Sequence, residues 1–272
     1  MTILLTGGTG KTATPLAKLL PKGQHSRTIG HPEGVRFDWL DASTYRIPFD
    51  ADDNIDRVYL VAPAIIDVFP PMKAFIDFAI QKGVKRFVLM SATMLKEGGP
   101  MMGKVHEYLH SCEVDYCALR PSWFFDNLLL HYSDTIRKHD EIVNAAGSGL
   151  IGWISTDDIA DVAFKAFTDK VIEHTNPVMV GPELLSYAQI AQIMSDVFGR
   201  KITHRTISAD EYKKIVVRRG FPEEWAALVS ATDLSIAEGA EEKVFKQADF
   251  MGERRLRDFI ESYRDAEEWK SV

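Results

Sequence analysis

The feature that most constrains the fold is a glycine-rich turn directly after the first apolar segment of the chain. Ile3–Leu5 is apolar, and it is followed by Thr6-Gly7-Gly8-Thr9-Gly10-Lys11-Thr12-Ala13, a G-x-x-G-x-x-A pattern. Glycines at these positions let the backbone turn tightly and approach a pyrophosphate, which then lies at the N-terminus of the next helix. The pattern predicts a strand–turn–helix unit that binds a dinucleotide through residues 6–12.

Two alternatives to dinucleotide binding were weighed for this turn. A Walker A loop is suggested by Gly10-Lys11-Thr12, but its pattern needs glycine where Leu5 stands, inside the apolar segment. A turn without any ligand is the second alternative. Three glycines within four residues at the end of the first strand disfavour it.

The choice between NADP(H) and NAD(H) depends on the end of the second strand. An NAD-preferring site has an acid there for the ribose hydroxyls, whereas this chain reads Ile29-Gly30-His31. Arg27 and His31 are predicted to meet a 2′-phosphate, which favours NADP(H). An equally weighted alternative is that both residues are solvated surface side chains with no part in cofactor binding. NAD(H) therefore remains an alternative cofactor.

Short apolar segments alternate with amphipathic ones through the first two thirds of the chain. The apolar segments lack in/out alternation, as parallel strands covered on both faces do; they lie at residues 3–5, 57–61, 86–90 and 116–120. This order predicts an α/β fold with a doubly wound parallel sheet, of the Rossmann type. The tail is charged and helical in pattern. We expect a dinucleotide-binding domain over 1–182, with 141–155 crossing to the substrate side, and a smaller, mostly helical substrate-binding part over 183–272.

Composition excludes several classes of protein. The net charge of −7 disfavours a nucleic-acid-binding surface. Two cysteines are too few for a disulfide scaffold and indicate a reducing compartment, so we expect a cytoplasmic protein. No apolar run approaches the ~20 residues of a membrane span.

Further blocks join the glycine turn in a pattern that spans nearly the whole chain. They are Val61-Ala62-Pro63, Ser91-Ala92, Lys104, Leu119–Asn127 (LRPSWFFDN), Trp153–Ala160 (WISTDDIA), Gly181–Tyr187 (GPELLSY) and Gly220–Glu223 (GFPE). Together they resemble the NmrA-like group of atypical short-chain dehydrogenases, and within it the fungal ergot-alkaloid festuclavine and agroclavine dehydrogenases.

The resemblance implies roles for specific residues. Thr6 to Ala13 would hold the pyrophosphate, and Ala62 and Pro63 would line the nucleotide path. The nicotinamide would be bordered by Ser91, Ala92, Pro121, Ser122 and Trp123. Lys104 matches the family lysine that binds the nicotinamide ribose or acts as an acid/base. We therefore expect Lys104 and Ser91 as the catalytic residues.

One departure from the wider family bears on the reaction. Ordinary short-chain dehydrogenases carry a tyrosine four residues before this lysine, where the chain has Pro100. No phenol can protonate an alkoxide from that position. Reduction of an iminium remains possible, because its carbon accepts hydride without simultaneous proton delivery.

Aromatic and methionine side chains are candidates for the substrate pocket. Trp123, Phe125, Trp153 and Met94 are predicted to contact the substrate. A structural role in the core is the alternative for these residues. Among the three aromatic residues 123–125, Phe124 is the one we expect to be buried in the core. Trp153 is equally suited to the core, and Met94 to filling a gap in it.

His106-Glu107-Tyr108-Leu109-His110 is a literal H-E-x-x-H segment on a predicted helix. Two histidines at this spacing hold zinc in metalloproteases, with a third ligand such as Glu141. Val105, Leu109 and Cys112 define the buried stripe, however, which predicts that His106 and His110 face solvent. We expect no metal.

The resulting hypothesis is an NADP(H)-dependent reductase of an imine or iminium (or similar C=N or C=C group) in a fungal secondary metabolite, in the class of indole alkaloids. A regulatory sensor that binds NADP without turnover, like NmrA, is the alternative. A third hypothesis is a cofactor-assisted cyclase that uses Asp126 or Glu97 as its acid/base. The expected partner is a small molecule.

Overall fold

The computed structural model describes residues 2–21, 25–27 and 34–270, with 25–27 described through their backbone. The strands are β1 (Thr2–Leu5), β2 (His25–Arg27), β3 (Ile55–Leu60), β4 (Arg86–Met90), β5 (Asp115–Pro121), β6 (Glu141–Asn144), β7 (Ile151–Gly152), β8 (Val178–Val180), β9 (Leu184–Leu185), β10 (Thr203–Thr206) and β11 (Phe250–Met251). The α-helices are α1 (Ala13–Leu19), α2 (Ile47–Ala51), α3 (Phe69–Gln81), α4 (Met102–Ser111), α5 (Asp126–His139), α6 (Thr156–Thr168), α7 (Tyr187–Phe198), α8 (Ala209–Arg218), α9 (Glu223–Ala237), α10 (Ala240–Phe245) and α11 (Leu256–Ser262). The chain forms two compact units, 1–121 with 156–178, and 122–155 with 179–272.

The first unit is built on a parallel sheet with the strand order β2-β1-β3-β4-β5. Leu5 pairs with Tyr59, Leu60 with Leu89, and Met90 with Leu119. Because all these strands run in one direction, the turns that follow β1, β3, β4 and β5 lie at the same edge of the sheet.

Helices cover both faces of this sheet. All five residues of β4 are buried, which explains why its sequence lacks in/out alternation. α3 and α4 pack together and contribute to the core beneath one face, whereas α6 contacts α1, β4 and β5. The predicted doubly wound parallel fold is confirmed.

The second unit is mostly helical. Its largest core joins the buried faces of α5 and α7 with residues of α11, through Leu128, Tyr132, Ile190 and Ile260. β6 pairs in parallel with β10, and β7 pairs antiparallel with β9. Ser186-Tyr187-Ala188-Gln189 is a capping-box pattern followed by apolar residues at helical spacing up to Gly199, which predicts a helix over this segment. α7 does begin at a capping box formed by Ser186 and Gln189, and it ends at Gly199 in the left-handed conformation.

The two compact units divide the chain differently from the expected domains in two segments. Residues 122–140 and 179–182 were expected in the dinucleotide-binding domain, whereas they lie in the second unit together with 141–155. For residues 122–140 the reason is the buried face of α5, which packs in the same core as α7. No helix in the described part of the chain is long and apolar enough to cross a bilayer.

Candidate functional site

The glycine turn begins with a threonine that ties two strands together. The Thr6 amide and hydroxyl both donate to the Tyr59 carbonyl oxygen, at 3.1 and 2.8 Å. The Thr6 hydroxyl also accepts from the Val61 amide at 2.8 Å. This side chain is fully buried and holds the ends of β1 and β3 together, so its contribution to the predicted cofactor site is to shape the turn.

The two pattern glycines of the turn occupy positions that exclude a side chain. Gly7 has a φ of +64°, and a Cβ there would lie 3.3 Å from the Val61 side chain. The Gly10 amide donates to the Gly7 carbonyl oxygen at 2.6 Å, and a Cβ on Gly10 would lie 2.8 Å from that oxygen. The backbone is therefore left bare, which is the form a pyrophosphate cradle needs.

The rest of the turn leads into α1. Gly8 and Thr12 are buried, Lys11 is half-buried and Thr9 is exposed. Thr12 directly precedes α1, and the Thr14 amide in the first turn of this helix donates to the Gly10 carbonyl oxygen at 3.0 Å. The glycine turn therefore runs straight into the N-terminus of the helix.

The predicted residues after β3 and β4 lie at the same sheet edge as the glycine turn. Ala62 and Pro63 are half-buried, as is Ala92. Ser91 is 5% exposed, and its hydroxyl oxygen has no hydrogen-bond partner among the described residues. A buried hydroxyl without a partner is costly, so this atom fits a site that a bound group completes. Pro121 ends β5 beside them and is buried.

Lys104 lies in the first turn of α4 with its side chain exposed. Pro100 occupies the place of the family tyrosine. The described tyrosine on the same helix, Tyr108, is bonded to the carboxylate of Asp77 and to Lys73. The Asp77 hydrogen bond, helped by burial, raises the pKa of Tyr108 to about 12. Tyr108 is thus occupied by contacts to α3 and does not replace the missing phenol.

The structure does not describe the side chains of the two residues predicted to select NADP(H). Arg27 ends β2, where the backbone alone is described, and His31 lies outside the described residues. The preference for a 2′-phosphate stays a prediction.

In the second unit, the segment after β5 places Ser122 against an acid. The Ser122 hydroxyl donates to the Glu241 carboxylate at 2.7 Å, and both residues are buried. Trp123 is half-buried with its ring 6.2 Å from that of Trp153. The Trp123 ring is therefore the more accessible of the two, because Trp153 is 1% exposed.

Phe124 and Phe125 have positions opposite to those expected. Phe125, predicted to contact substrate, is 1% exposed and packs in the core with Leu128 and Phe259. Phe124, expected as the core anchor, is half-buried. Phe125 directly precedes α5 and points to its buried face, which the local sequence does not reveal. In the first unit, Met94 is 47% exposed.

The structure places the two histidines of the H-E-x-x-H segment in different environments. His106 was expected to face solvent, but it is fully buried, and His110 alone is exposed. The prediction for His106 was wrong because Glu97, in the loop before α4, covers that face of the helix. The Tyr116 ring also packs against the His106 ring. No cluster of three metal-ligating side chains occurs among the described residues. Glu141 accepts from Arg205 in the second unit.

Two buried acids escaped the sequence analysis. Glu241 is bonded to Ser122, and Asp233 on α9 is fully buried with its carboxylate accepting from the Ala145 amide at 2.9 Å. Burial raises the pKa of Asp233 to about 6. Both residues lie in acid-containing helices where no local signal separates a buried carboxylate from the solvated ones.

Comparison with known proteins adds relatives of similar length. Festuclavine synthase II of Penicillium roqueforti is 42% identical over 258 residues, which cover 89% of this chain and 90% of the relative. Agroclavine dehydrogenase of Claviceps fusiformis is 41% identical, with 96% of each chain covered. The structure of the Citrobacter sp. triphenylmethane reductase complexed with NADP(H) shares the fold, with a TM-score of 0.74, 18% identity, and 96% of this chain and 99% of that chain covered. No family model matches the chain.

Proposed function

Because the chain belongs to the family of the fungal festuclavine synthases and agroclavine dehydrogenases, we propose that it is an NADP(H)-dependent oxidoreductase that reduces a C=N group of an alkaloid intermediate. The ergot-alkaloid resemblance seen in the sequence is confirmed by these relatives. The names of the relatives support an oxidoreductase of alkaloid metabolism, and the chemistry of the site supports an imine or iminium as the group reduced.

The observation that carries the cofactor proposal is the bare glycine turn between β1 and α1. The turn keeps this tight conformation only while Gly7 and Gly10 lack side chains, because a Cβ there would crowd the Val61 side chain or the Gly7 carbonyl oxygen. The orphan hydroxyl of Ser91 lies after β4 at the same sheet edge, where the nicotinamide end of the cofactor would bind. The NADP(H) complex of a structural neighbour is consistent with this cofactor class.

The proposed reaction class is supported by the residue four positions before Lys104, which is Pro100 and not a tyrosine. NADPH supplies a hydride when bound. Pro100 leaves Lys104 without the partner phenol that a ketone reductase uses. An iminium carbon is already electrophilic, and its nitrogen becomes a neutral amine on reduction, so no acid is required at the reacting centre.

The protein residues would then act by binding and positioning. Lys104 would bind the ribose hydroxyls, Ser91 would orient the carboxamide of the nicotinamide or the substrate, and Trp123 would supply an aromatic surface for a flat substrate. Met94 and Trp153 remain candidate substrate contacts, whereas Phe125 is assigned to the core.

Calorimetric titration with NADPH, NADP⁺, NADH and NAD⁺ in parallel tests the cofactor proposal first. Tight NADPH binding with much weaker NADH binding is the expected result. Stronger binding of the oxidised forms would favour the sensor hypothesis, and binding of none would overturn the proposed site.

The reaction is tested by following absorbance at the NADPH band with an indole-alkaloid iminium as substrate, and with the matching ketone as control. Oxidation of NADPH with the iminium but not the ketone is expected. Product formation without NADPH oxidation would instead identify a cyclase.

A further inference from the structure

The loop between β4 and α4, residues 92–101, has a strained and tightly packed backbone. Met101 has a φ of 52°, in a region that non-glycine residues rarely occupy, and Gly98 has a φ of 72°. The Gly98 amide donates to the Gly103 carbonyl oxygen at 3.0 Å, and a Cβ on Gly103 would collide with the Lys96 carbonyl oxygen. The loop is thus folded back onto the first turn of α4.

A single carboxylate connects this loop to the histidine face of α4. Glu97 Oε1 lies 2.5 Å from His110 Nδ1, and Glu97 Oε2 lies 3.8 Å from His106 Nε2. His106 and His110 are one helical turn apart, so the carboxylate hydrogen bonds to His110 and lies close to His106 without a hydrogen bond to it. The loop is therefore held to α4 through Glu97 as well as at the end that leads into the helix.

An aromatic ring and charged groups surround the contact between Glu97 and the two histidines. The Tyr116 ring of β5 lies 5.7 Å from the His106 ring and 5.9 Å from the His110 ring. Burial lowers the pKa of His106, and Arg120 and His110 act in the same direction, whereas Glu97 opposes them. Glu107 faces the loop from α4, where a Cβ on Gly98 would lie 3.0 Å from its carboxylate.

The two ends of the loop carry the groups assigned to the nicotinamide half of the cofactor. Ser91 directly precedes the loop at the end of β4, and Lys104 follows it in the first turn of α4. A strained loop keeps its conformation only where surrounding contacts hold it. Loss of the Glu97 contacts would let the loop relax and would shift both ends.

We infer that Glu97 is a positioning residue, which fixes the 92–101 loop through His110 and His106 and thereby sets Ser91 and Lys104 for NADP(H). This inference rests on the proposed cofactor site. It assigns a function to the H-E-x-x-H histidines that does not involve metal.

The test compares Glu97→Ala and Glu97→Gln with Glu113→Ala, which removes an exposed glutamate just beyond the end of α4. NADPH affinity is measured by calorimetry, and amide hydrogen exchange of the 92–101 peptide by mass spectrometry. We expect Glu97→Ala to weaken NADPH binding about tenfold and to speed loop exchange. Glu97→Gln should recover part of the loss because its amide still hydrogen bonds to His110. Glu113→Ala should match the wild type.

A double variant tests whether the contact acts through the histidine. His110→Gln added to Glu97→Ala should cause no further loss of affinity, because both changes remove one contact. Melting temperatures close to the wild type would show that each variant is folded. His106 is left unchanged in these variants because it is fully buried.

Three results would overturn the inference: wild-type NADPH affinity in Glu97→Ala, faster loop exchange without a change in affinity, or additive losses in the double variant. If the wild type itself bound no nicotinamide cofactor, the proposed function would fail along with this inference. Wild-type binding that Glu97→Ala leaves unchanged would remove the inference alone.

Discussion

At the scale of single residues, the cofactor proposal depends on two glycines of the turn that carry no side chain. Gly7 is required by its backbone angle and by its closeness to Val61, and Gly10 by its closeness to the Gly7 carbonyl. The Thr6 hydroxyl is used between strands. The contribution of the turn to the proposed site therefore lies in its backbone, which Gly7 and Gly10 leave without side chains.

Gly7→Ala tests the turn against a control with the same backbone strain. Gly7 and Gly199 have φ values of 64° and 66°, so alanine at either position costs about 1 kcal/mol of stability. A Cβ at Gly199 meets nothing within 4 Å, whereas one at Gly7 meets Val61. We expect both variants to melt at similar, slightly lower temperatures, and Gly7→Ala alone to lose NADPH affinity by at least about tenfold. Equal affinity in calorimetry would place the cofactor elsewhere.

Lys104→Met tests whether the exposed lysine of α4 contributes to the reaction. Lys85→Met is the matched control, because Lys85 is exposed but lies before β4 at the opposite sheet edge. Turnover of NADPH with the iminium should fall by about tenfold or more in Lys104→Met, with little change in the free energy of unfolding. Unchanged turnover would remove Lys104 from the site.

At the scale of secondary-structure elements, one buried arginine joins the sheet to a helix that covers it. Arg86 at the start of β4 is 5% exposed, and its guanidinium donates to the Ala166 and Asp169 carbonyl oxygens at the C-terminal end of α6, at 3.1 and 2.6 Å. It also pairs with Asp115 at the start of β5, at 2.9 Å. Several otherwise unsatisfied helix carbonyls depend on this side chain.

Arg86→Lys should lower the free energy of unfolding by about 2–4 kcal/mol, because the ammonium of lysine cannot make all the hydrogen bonds that the Arg86 guanidinium makes. The exposed Arg46–Asp50 pair on and before α2 provides the comparison. Arg46→Lys should cost less than about 0.5 kcal/mol. Urea denaturation of the two variants measures the difference, and similar values for both would show that the Arg86 contacts contribute little.

At the scale of the whole molecule, the stability of the protein should depend on the charge of a buried acid. The raised pKa of Asp233, about 6, means that the folded protein binds a proton there that the unfolded chain releases near pH 3.8. Rising pH from about 4 to 6 therefore favours unfolding, and the penalty is complete above pH 6. At about 1.4 kcal/mol for each unit of pKa, it reaches roughly 3 kcal/mol at most.

Asp233→Asn should remove this penalty, since its amide oxygen can still accept from the Ala145 amide. The variant should melt at a higher temperature than the wild type at pH 7–8, and the difference should shrink as the pH falls towards 4. Asp265→Asn, an exposed control, should show no such trend. A stabilisation by Asp233→Asn that is equal at all pH values would contradict the role of its charge.

The sequence determined what depends on local pattern. The glycine spacing, the uninterrupted apolar strands and the capping box at Ser186 each place neighbours in the chain, so the parallel sheet, the turn and α7 were predicted correctly. The helical stripe of α4 likewise identified Val105 and Leu109 as buried.

Only the tertiary structure decided which polar groups are buried and what they contact. His106 is buried because a loop outside its own helix covers it. Phe125 rather than Phe124 enters the core that α5 and α7 share. Ser122 meets Glu241 across 119 residues of sequence. Such contacts join side chains far apart in the chain, and their energies depend on burial, which no local periodicity encodes.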